Sequence, residues 1–325
     1  MEEPIFENRI DLAALNEAVI NITQEIRKVI VGQDEMVRLI ITALLADGHV
    51  LIEGVPGVAK TLTARLVAKS VDASFARVQF TPDLMPSDVI GTPVFNPADA
   101  QFEFKRGPVF GNIVLVDEIN RAPAKTQAAL LEVMEERQIS IDGNTFFMEP
   151  PFMVLATQNP VEQEGTYRLP EAQLDRFLFK IEVPYPQEEE ELQILRLFHQ
   201  MGNQQVAANI TAVLTSEQIN QLRRLVKEIL IDDKLLAFIA KLVHHTRNHK
   251  SIYLGASPRA SLAIMNAAKA TAAIQGRDFV TPDDVITVAA PVLRHRIILS
   301  PEKEMEGVNE NEIIRQIING LEVPR

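Results

Sequence analysis

The sequence contains no cysteine, which excludes disulfide bonds and thiolate metal sites within these 325 residues. It also lacks a basic excess, because Asp and Glu outnumber Lys and Arg by 44 to 32 and the formal net charge is -12. Proteins that coat nucleic acid usually carry a basic excess, since they bind by neutralising phosphates. Nucleic acid is therefore not expected as a partner.

Long apolar runs are missing as well. The longest clean runs, such as residues 39–46, are far shorter than the roughly 20 residues that a membrane-spanning helix needs. The first four residues, MEEP, show neither the basic nor the apolar segment of a secretory signal. We therefore expect a cytoplasmic protein with no membrane span.

A glycine-containing turn joins a predicted strand to a predicted helix near residue 54. Residues 49–53 (HVLIE) form the short apolar run typical of a buried strand, and residues 61–70 carry apolar side chains at helical spacing. Residues 54–61 read GVPGVAKT and differ from the phosphate-loop pattern G-x-x-x-x-G-K-[ST] only at Ala59. Two interpretations are open here: a phosphate-binding loop, or a tight turn with an incidental Lys-Thr pair.

The chemistry of this turn suits a triphosphate. Gly54 and Gly57 allow backbone N–H groups to approach an anion, and the N-terminus of the following helix adds a partial positive charge. Lys60 can reach the terminal phosphates, and the Thr61 hydroxyl can bind Mg²⁺. A phosphate loop also needs a partner carboxylate further along the chain.

Asp117 and Glu118 supply that partner. They follow residues 112–116 (NIVLV), whose apolar continuity predicts a central parallel strand. Open α/β sheets bind ligands at the carboxyl ends of such strands. We assign Asp117 to Mg²⁺ and Glu118 to the water that attacks the γ-phosphate. A strand that ends at a solvated acidic pair is the alternative.

Two more polar residues are candidates for the same chemistry. Asn159 follows the predicted strand 152–156 and can orient the attacking water, although an Asn before Pro is also a common turn initiator. Arg259 follows Ser257-Pro258, a helix-start signal, and an Arg there gains nothing from the helix dipole. A phosphate-binding role and an ordinary surface position both stay open for Arg259.

The remaining pattern predicts a strand-containing domain and then a helical one. Further strands are predicted at 75–79 and 179–183, and Pro184-Tyr185-Pro186 marks a boundary between domains 1–184 and 185–325. Residues 187–191 (QEEEE) are interpreted as a solvated helix start. His244, His245 and His249 are interpreted as helix-surface residues, because no cysteine and few carboxylates accompany them.

Two segments within the first domain are predicted to carry strands of their own. Residues 81–111 are a strand-bearing insertion, and residues 138–148 are a hairpin with Asp142-Gly143 as its turn.

These motifs together resemble the MoxR family of AAA+ ATPases, in order and over nearly the whole chain. The matching segments are GVPGVAKT at 54–61, VDEINRAP at 116–123, QAALLEVMEE at 127–136, ATQNP at 156–160, LPEAQLDRF at 169–177 and GASPRA at 255–260. Ala59 is usual in that family. Arg168 is a departure, since the family has Pro there, and it becomes a rival to Arg176 as a functional arginine.

The resemblance implies an α/β P-loop NTPase fold: a five-stranded parallel sheet flanked by helices, then a smaller all-α lid. It implies a homo-oligomeric ring, usually hexameric, with ATP and Mg²⁺ between subunits. It implies protein clients, among them von Willebrand A-type domain proteins. It places the insertion and the hairpin on one face of the ring.

The resemblance also implies roles for individual residues. Asn159 is implied as sensor 1, Arg259 as sensor 2 from the lid of the same subunit, and Arg176 as an arginine finger given in trans; Thr61 and Asp117 are implied at the metal. The implied nucleotide-binding residues are Val31, Gly32, Gln33, Gly54, Val55, Pro56, Gly57, Val58, Ala59, Lys60, Thr61 and Leu62.

The sequence thus predicts an ATP-driven, chaperone-like remodelling protein. Three rival functions stay open: a nucleic-acid motor, which the acidic balance disfavours; a non-catalytic nucleotide-binding scaffold, which Glu118, Asn159 and Arg176 disfavour; and a small-molecule kinase, for which no acceptor-binding segment is evident.

Overall fold

The computed structural model describes residues 10–55, 57–98, 100–159, 166–201 and 210–324. The chain divides into two compact units. One runs from Ile22 to Ile219, and the other joins the segment that ends at Asn21 to the segment that begins at Asn220. The domain boundary at 184/185 stays a prediction.

Strands and helices alternate along the first part of the described chain. The strands are β1 (Val50–Gly54), β2 (Phe75–Gln79), β3 (Gly91–Asn96), β4 (Gln101–Arg106), β5 (Ile113–Asp117), β6 (Gln138–Ile141), β7 (Asn144–Phe147), β8 (Met153–Gln158), β9 (Phe179–Val183), β10 (Ile252–Leu254) and β11 (Ile298–Leu299). The helices are α1 (Ala13–Arg27), α2 (Asp34–Leu45), α3 (Lys60–Ser70), α4 (Pro86–Ile90), α5 (Ala124–Glu136), α6 (Glu171–Leu174), α7 (Glu188–Met201), α8 (Ser216–Glu228), α9 (Asp233–Asn248), α10 (Pro258–Ile274), α11 (Pro282–Leu293), α12 (Pro301–Met305) and α13 (Glu310–Gly320).

The 22–219 unit is built on a five-stranded parallel sheet with the order β2-β5-β8-β1-β9. All residues of β5 are buried, as are the first five of β8. Such continuous burial explains the unbroken apolar runs of the central strands, which are covered on both faces. The predicted fold class, a P-loop type α/β sheet with flanking helices, is confirmed.

The register of the sheet brings the polar strand ends to one edge. Gln79 at the end of β2 lies beside Asp117 at the end of β5, and Gly54 at the end of β1 lies beside Val183 of β9. In parallel sheets this carboxyl edge is where ligands bind. The residues after β1, β5 and β8 therefore start from the same edge.

This unit also contains two antiparallel hairpins. β3 pairs with β4 inside the 81–111 segment, and β6 pairs with β7 inside the 138–148 segment. Asp142 and Gly143 both have positive φ, 50° and 79°, as a two-residue hairpin turn requires. The rings of Phe104 and Phe146 stack with centroids 4.5 Å apart, which joins one hairpin to the other.

The other unit is helical, with one short ribbon that the sequence pattern did not predict. The ribbon is the antiparallel pair β10–β11, whose strands of three and two residues are too short for an alternating pattern. α10 carries a run of buried alanines, among them Ala267 and Ala270, which allows α11 to pack closely. At the start of α11 the backbone N–H of Thr281 donates to Asp284 Oδ2 at 2.8 Å, as its capping-box sequence predicts.

Two smaller observations complete the fold. Within the 169–177 segment only Glu171–Leu174 is helical, because α6 begins after Pro170 and ends at Asp175 before β9. Within the described ranges, no helix is both long enough and apolar enough to cross a membrane.

Candidate nucleotide-binding site

The phosphate-loop sequence forms the turn between β1 and α3. Ala59, immediately before α3, has φ 60° and ψ 18°, and Gly57 has φ 91°. Ala59 therefore adopts the left-handed conformation that the glycine of the general pattern provides, at a cost of about 1–2 kcal/mol. Pro56 lies outside the described residues. The loop keeps the expected backbone turn despite its alanine.

Lys60 begins α3 and lies among acidic groups. Its Nζ donates to the carbonyl oxygen of Gly54 at 2.5 Å, across the loop. Burial lowers the pKa of Lys60, and the negative charges of Asp117, Glu118 and Glu53 partly oppose that effect. The ammonium group thus lies near both carboxylates of the predicted pair.

Asp117 is buried at the tip of β5, with 6% of its surface exposed. Its Oδ1 accepts hydrogen bonds from Thr61 Oγ1 at 3.4 Å and from Thr157 Oγ1 at 3.3 Å. Its Oδ2 accepts from Arg77 Nε at 2.7 Å. The carboxylate is therefore held on both oxygens, with the hydroxyl of the phosphate loop on one side.

Glu118 turns the chain sharply after β5. Its φ is 57°, a conformation uncommon for a residue with a side chain, and its backbone N–H donates to Thr157 Oγ1 at 3.0 Å. Its Oε2 accepts from Gln79 Nε2 at 2.8 Å and lies 3.1 Å from Arg121 Nε. Glu118 thus has a fixed backbone and a carboxylate held by two neighbours.

These groups surround one cavity of about 370 Å³. It is lined by Gly57, Ala59, Lys60, Thr61, Leu62, Arg77, Gln79, Asp117, Glu118, Thr157 and Asn159. The structure therefore brings the end of the phosphate loop, the carboxylate pair and Asn159 to a single site. This arrangement can hold a chain of phosphates beside a lysine, with two carboxylates at one end.

Several residues implied by the resemblance do not line this cavity. Val31, Gly32 and Gln33 lie between α1 and α2, where a Cβ on Gly32 would be 2.3 Å from Glu190 Cδ of α7. Val58 is buried in the loop. Val55 also lies outside the lining.

Two candidate arginines of the 22–219 unit, Arg176 and Arg168, also do not line the cavity. Arg176 follows α6, with its Nε 3.5 Å from Glu135 Oε2, and Arg168 is exposed. Arg259 lies in the other unit, in the first turn of α10, where its backbone N–H donates to Ser257 Oγ at 3.1 Å.

Sequence reasoning missed Arg77, Gln79 and Thr157. Arg77 and Gln79 are two residues apart on β2 and so lie on the same face of the strand. The predicted strand 75–79 already placed these two polar side chains on one face. The contacts of Arg77 and Gln79 with Asp117 and Glu118 could not be predicted from that strand, because they depend on β2 lying next to β5 in the sheet. Thr157 directly follows the predicted strand 152–156, and no sequence motif distinguishes it from an ordinary buried threonine.

The donor set fits Mg²⁺ bound together with phosphates. Thr61 Oγ1 and Asp117 Oδ1 are hard oxygen donors 3.4 Å apart at one cavity. Across the part of the chain that the structure describes, no group of three or more His, Asp or Glu side chains could hold a metal. Mg²⁺ usually binds through one or two protein ligands, with phosphates and water completing its shell.

Comparison with known proteins agrees with the fold. Residues 49–179 match the profile of the ATPase family associated with various cellular activities (AAA), and residues 244–317 match the AAA lid domain. A crystal structure of a Cytophaga hutchinsonii protein, provisionally designated an ATPase, superposes with a TM-score of 0.89 at 41% identity. That superposition covers 96% of this chain and 97% of the other.

Similar curated proteins identify the family within the AAA+ ATPases to which this chain belongs. The chain is 48% identical to the uncharacterized protein YeaC of Bacillus subtilis, over 93% of each chain. It is 44% identical to Chaperone MoxR1 of Mycobacterium tuberculosis, over 93% of this chain and 81% of that protein. It is 31% identical to Protein MoxR of Methylorubrum extorquens, over 95% and 96%. The chain belongs to the MoxR family of AAA+ ATPases.

Proposed function

We propose that this protein hydrolyses ATP with Mg²⁺ at the subunit interfaces of a ring and uses the cycle to remodel protein clients. One observation carries the proposal: Lys60, Thr61, Asp117, Glu118 and Asn159 all line one cavity at the carboxyl edge of the sheet. A nucleotide-binding scaffold would need only the phosphate-binding part of this set.

The residues divide the chemistry of phosphoryl transfer among them. Lys60 and the loop N–H groups would bind the β- and γ-phosphates, and Thr61 and Asp117 would hold Mg²⁺. The metal supplies neutralisation of the charge that develops on the phosphate oxygens. Glu118 accepts the proton of the attacking water, and Asn159 orients that water.

The ring part of the proposal rests on Arg176. Arg176 does not line its own cavity and lies 3.5 Å from Glu135, so its proposed action on a phosphate is in the site of an adjoining subunit. An arginine finger of this kind accelerates hydrolysis by about 10³–10⁵-fold in other systems.

Two further residue roles belong to the proposal. Arg259 is proposed to reach the γ-phosphate from the lid of the same subunit. Val31–Gln33 are proposed to contact the adenine.

The remodelling part of the proposal is supported by the relatives. One of them is named a chaperone, and this chain matches it over most of both lengths. Clients with von Willebrand A-type domains, a hexameric ring and a cytoplasmic location are part of the proposal. Loss of the γ-phosphate on hydrolysis would move the lid relative to the core in each subunit.

Phosphate release by purified protein tests the proposed activity. We expect Mg²⁺-dependent release by the wild type, and a loss of about 10²–10⁴-fold in Glu118→Gln, because the carboxamide cannot accept the proton. Glu132→Gln, at an exposed position of α5, is the matched control and should match the wild type. ATP binding without release by the wild type would identify a scaffold instead.

A further inference from the structure

Arg77 holds the Asp117 carboxylate from the edge of the sheet. Its Nε lies 2.7 Å from Asp117 Oδ2, a charge-assisted hydrogen bond. Arg77 shares a strand face with Gln79, which lies beside Asp117, so its side chain reaches forward along β2 to the tip of β5. The Arg77 side chain is 53% exposed and that of Asp117 is 9% exposed. A half-exposed cation is therefore paired with a buried anion.

The other oxygen of the same carboxylate faces the candidate metal donors. Asp117 Oδ1 lies 3.4 Å from Thr61 Oγ1 at the cavity that Arg77 also lines. A divalent cation bound there and the guanidinium would share one carboxylate. The pairing with Arg77 already neutralises much of that negative charge, and the two cations repel each other.

We propose that Arg77 sets the metal affinity of this site: it weakens binding of Mg²⁺ to Asp117 and so makes metal binding depend on the triphosphate. The inference rests on the proposed ATPase function and adds a role for a residue outside the phosphate loop and the carboxylate pair. The triphosphate brings the negative charge that the site lacks while Asp117 is paired. Arg77 also attracts that triphosphate, because its positive charge lines the cavity.

Two shifts of opposite sign follow for Arg77→Gln. The affinity of the nucleotide-free protein for a divalent cation should rise, since the buried carboxylate loses its competing cation. The affinity for ATP in the absence of metal should fall, since the cavity loses a positive charge. A residue that only orients Asp117 for the metal would give the reverse sign for the first shift.

Mn²⁺ is a paramagnetic probe for the Mg²⁺ site. Its binding to the full chain without nucleotide can be measured by electron paramagnetic resonance. We expect Arg77→Gln to bind Mn²⁺ about three- to tenfold more tightly than the wild type, a modest change because Arg77 is half exposed and screened by solvent. Asp117→Asn in the same chain should remove the gain.

Matched variants separate charge from packing. Arg77→Lys keeps the positive charge and should bind Mn²⁺ much like the wild type. Arg38→Gln removes an equal charge from the exposed pair with Glu35 on α2 and should have no effect. Circular dichroism confirms that each variant is folded before binding is measured.

A second binding experiment uses a fluorescent ATP analogue in EDTA, where Arg77→Gln should bind about three- to tenfold more weakly. Mn²⁺ affinity that is unchanged or lower in folded Arg77→Gln would overturn the inference. Failure of the wild type to bind ATP at all would refute the proposed function instead, and the nucleotide-free Mn²⁺ experiment would still decide the role of Arg77.

Discussion

Thr157 Oγ1 accepts a hydrogen bond from the backbone N–H of Glu118 at 3.0 Å, which ties the end of β8 to the residue that follows β5. The same hydroxyl lies 3.3 Å from Asp117 Oδ1 and can donate to it. One buried side chain thus fixes both the left-handed backbone of Glu118 and one oxygen of Asp117.

Thr157→Val should impair catalysis more than nucleotide binding. The substitution is nearly isosteric and leaves Glu118 N–H without this acceptor, at a cost of about 1–3 kcal/mol in the free energy of unfolding. We expect kcat for ATP hydrolysis to fall about tenfold or more through misplacement of Glu118, with KM for ATP little changed. Thr157→Ser keeps the hydroxyl and should retain most activity; equal losses in both variants would contradict this role.

Lys60 should make stability depend on pH in the alkaline range. Burial lowers its pKa from the ordinary value of 10.5 in the folded state. Between the two pKa values the unfolded chain holds more protons than the folded chain, so the stability of the folded chain rises with pH there. The destabilisation by Lys60 is thus complete at neutral pH, shrinks as pH rises through the folded pKa, and vanishes above 10.5.

Urea unfolding of the wild type and Lys60→Met, without nucleotide, measures this effect. We expect Lys60→Met to be the more stable protein at pH 7 and the difference to narrow as pH approaches 10. The variant should also lose ATP binding, because the terminal phosphates lose their lysine. A stability difference that stays constant over this pH range would show that the Lys60 pKa is not lowered by folding.

Gly32→Ala should destabilise the protein for two separable reasons. Gly32 has φ 75°, and an added Cβ would lie 2.3 Å from Glu190 Cδ. Gly143→Ala is the matched control, because Gly143 has φ 79° and nothing lies within 4 Å of an added Cβ. We expect about 1 kcal/mol for Gly143→Ala from backbone strain alone and a modestly larger loss for Gly32→Ala, because the Glu190 carboxylate ends a flexible side chain and can move aside at the expense of its hydrogen bond from Gln187 N.

The free energies of unfolding of these variants, from denaturant titration, test that reasoning. Adding Glu190→Ala to Gly32→Ala should bring the loss down toward that of the Gly143 variant. If the Gly32 and Gly143 variants were equally destabilised, the Glu190 side chain would not restrict this position.

Mixed assemblies test whether Arg176 acts in trans. Glu118→Gln and Arg176→Ala should each be inactive alone. In an equal mixture, about a quarter of the interfaces would pair an intact Glu118 with an intact Arg176 from the neighbour, so about a quarter of the wild-type rate should return. If Arg168→Ala, mixed in the same way, restored activity and Arg176→Ala did not, the finger would be Arg168.

The fold and much of the candidate site could be predicted from the sequence, because buried strands appear in it as short apolar runs. The apolar run before Asp117 located a central strand, and the strand tip located the carboxylates. The pattern around Ala59 predicted the turn, although only the structure shows that this alanine takes a positive φ.

Contacts between side chains of different strands and helices could not be predicted from the sequence pattern. Arg77 meets Asp117 because β2 lies next to β5, and no spacing within one strand reveals its neighbour. From sequence alone, the acidic run at 187–191 favours a solvated helix start. The Glu190 carboxylate nevertheless lies against Gly32, and its Oε2 accepts a hydrogen bond from Gln187 N at 2.8 Å. The charge pattern alone cannot distinguish this glutamate from its solvated neighbours.

A crystal structure of the protein with Mg²⁺ and a non-hydrolysable ATP analogue tests the central claim most directly. We predict the γ-phosphate within hydrogen-bonding distance of Lys60 Nζ, the metal between Thr61 and Asp117, and Glu118 and Asn159 facing the γ-phosphate. Nucleotide bound elsewhere, or a γ-phosphate on the far side of the loop from Asp117 and Glu118, would contradict the account.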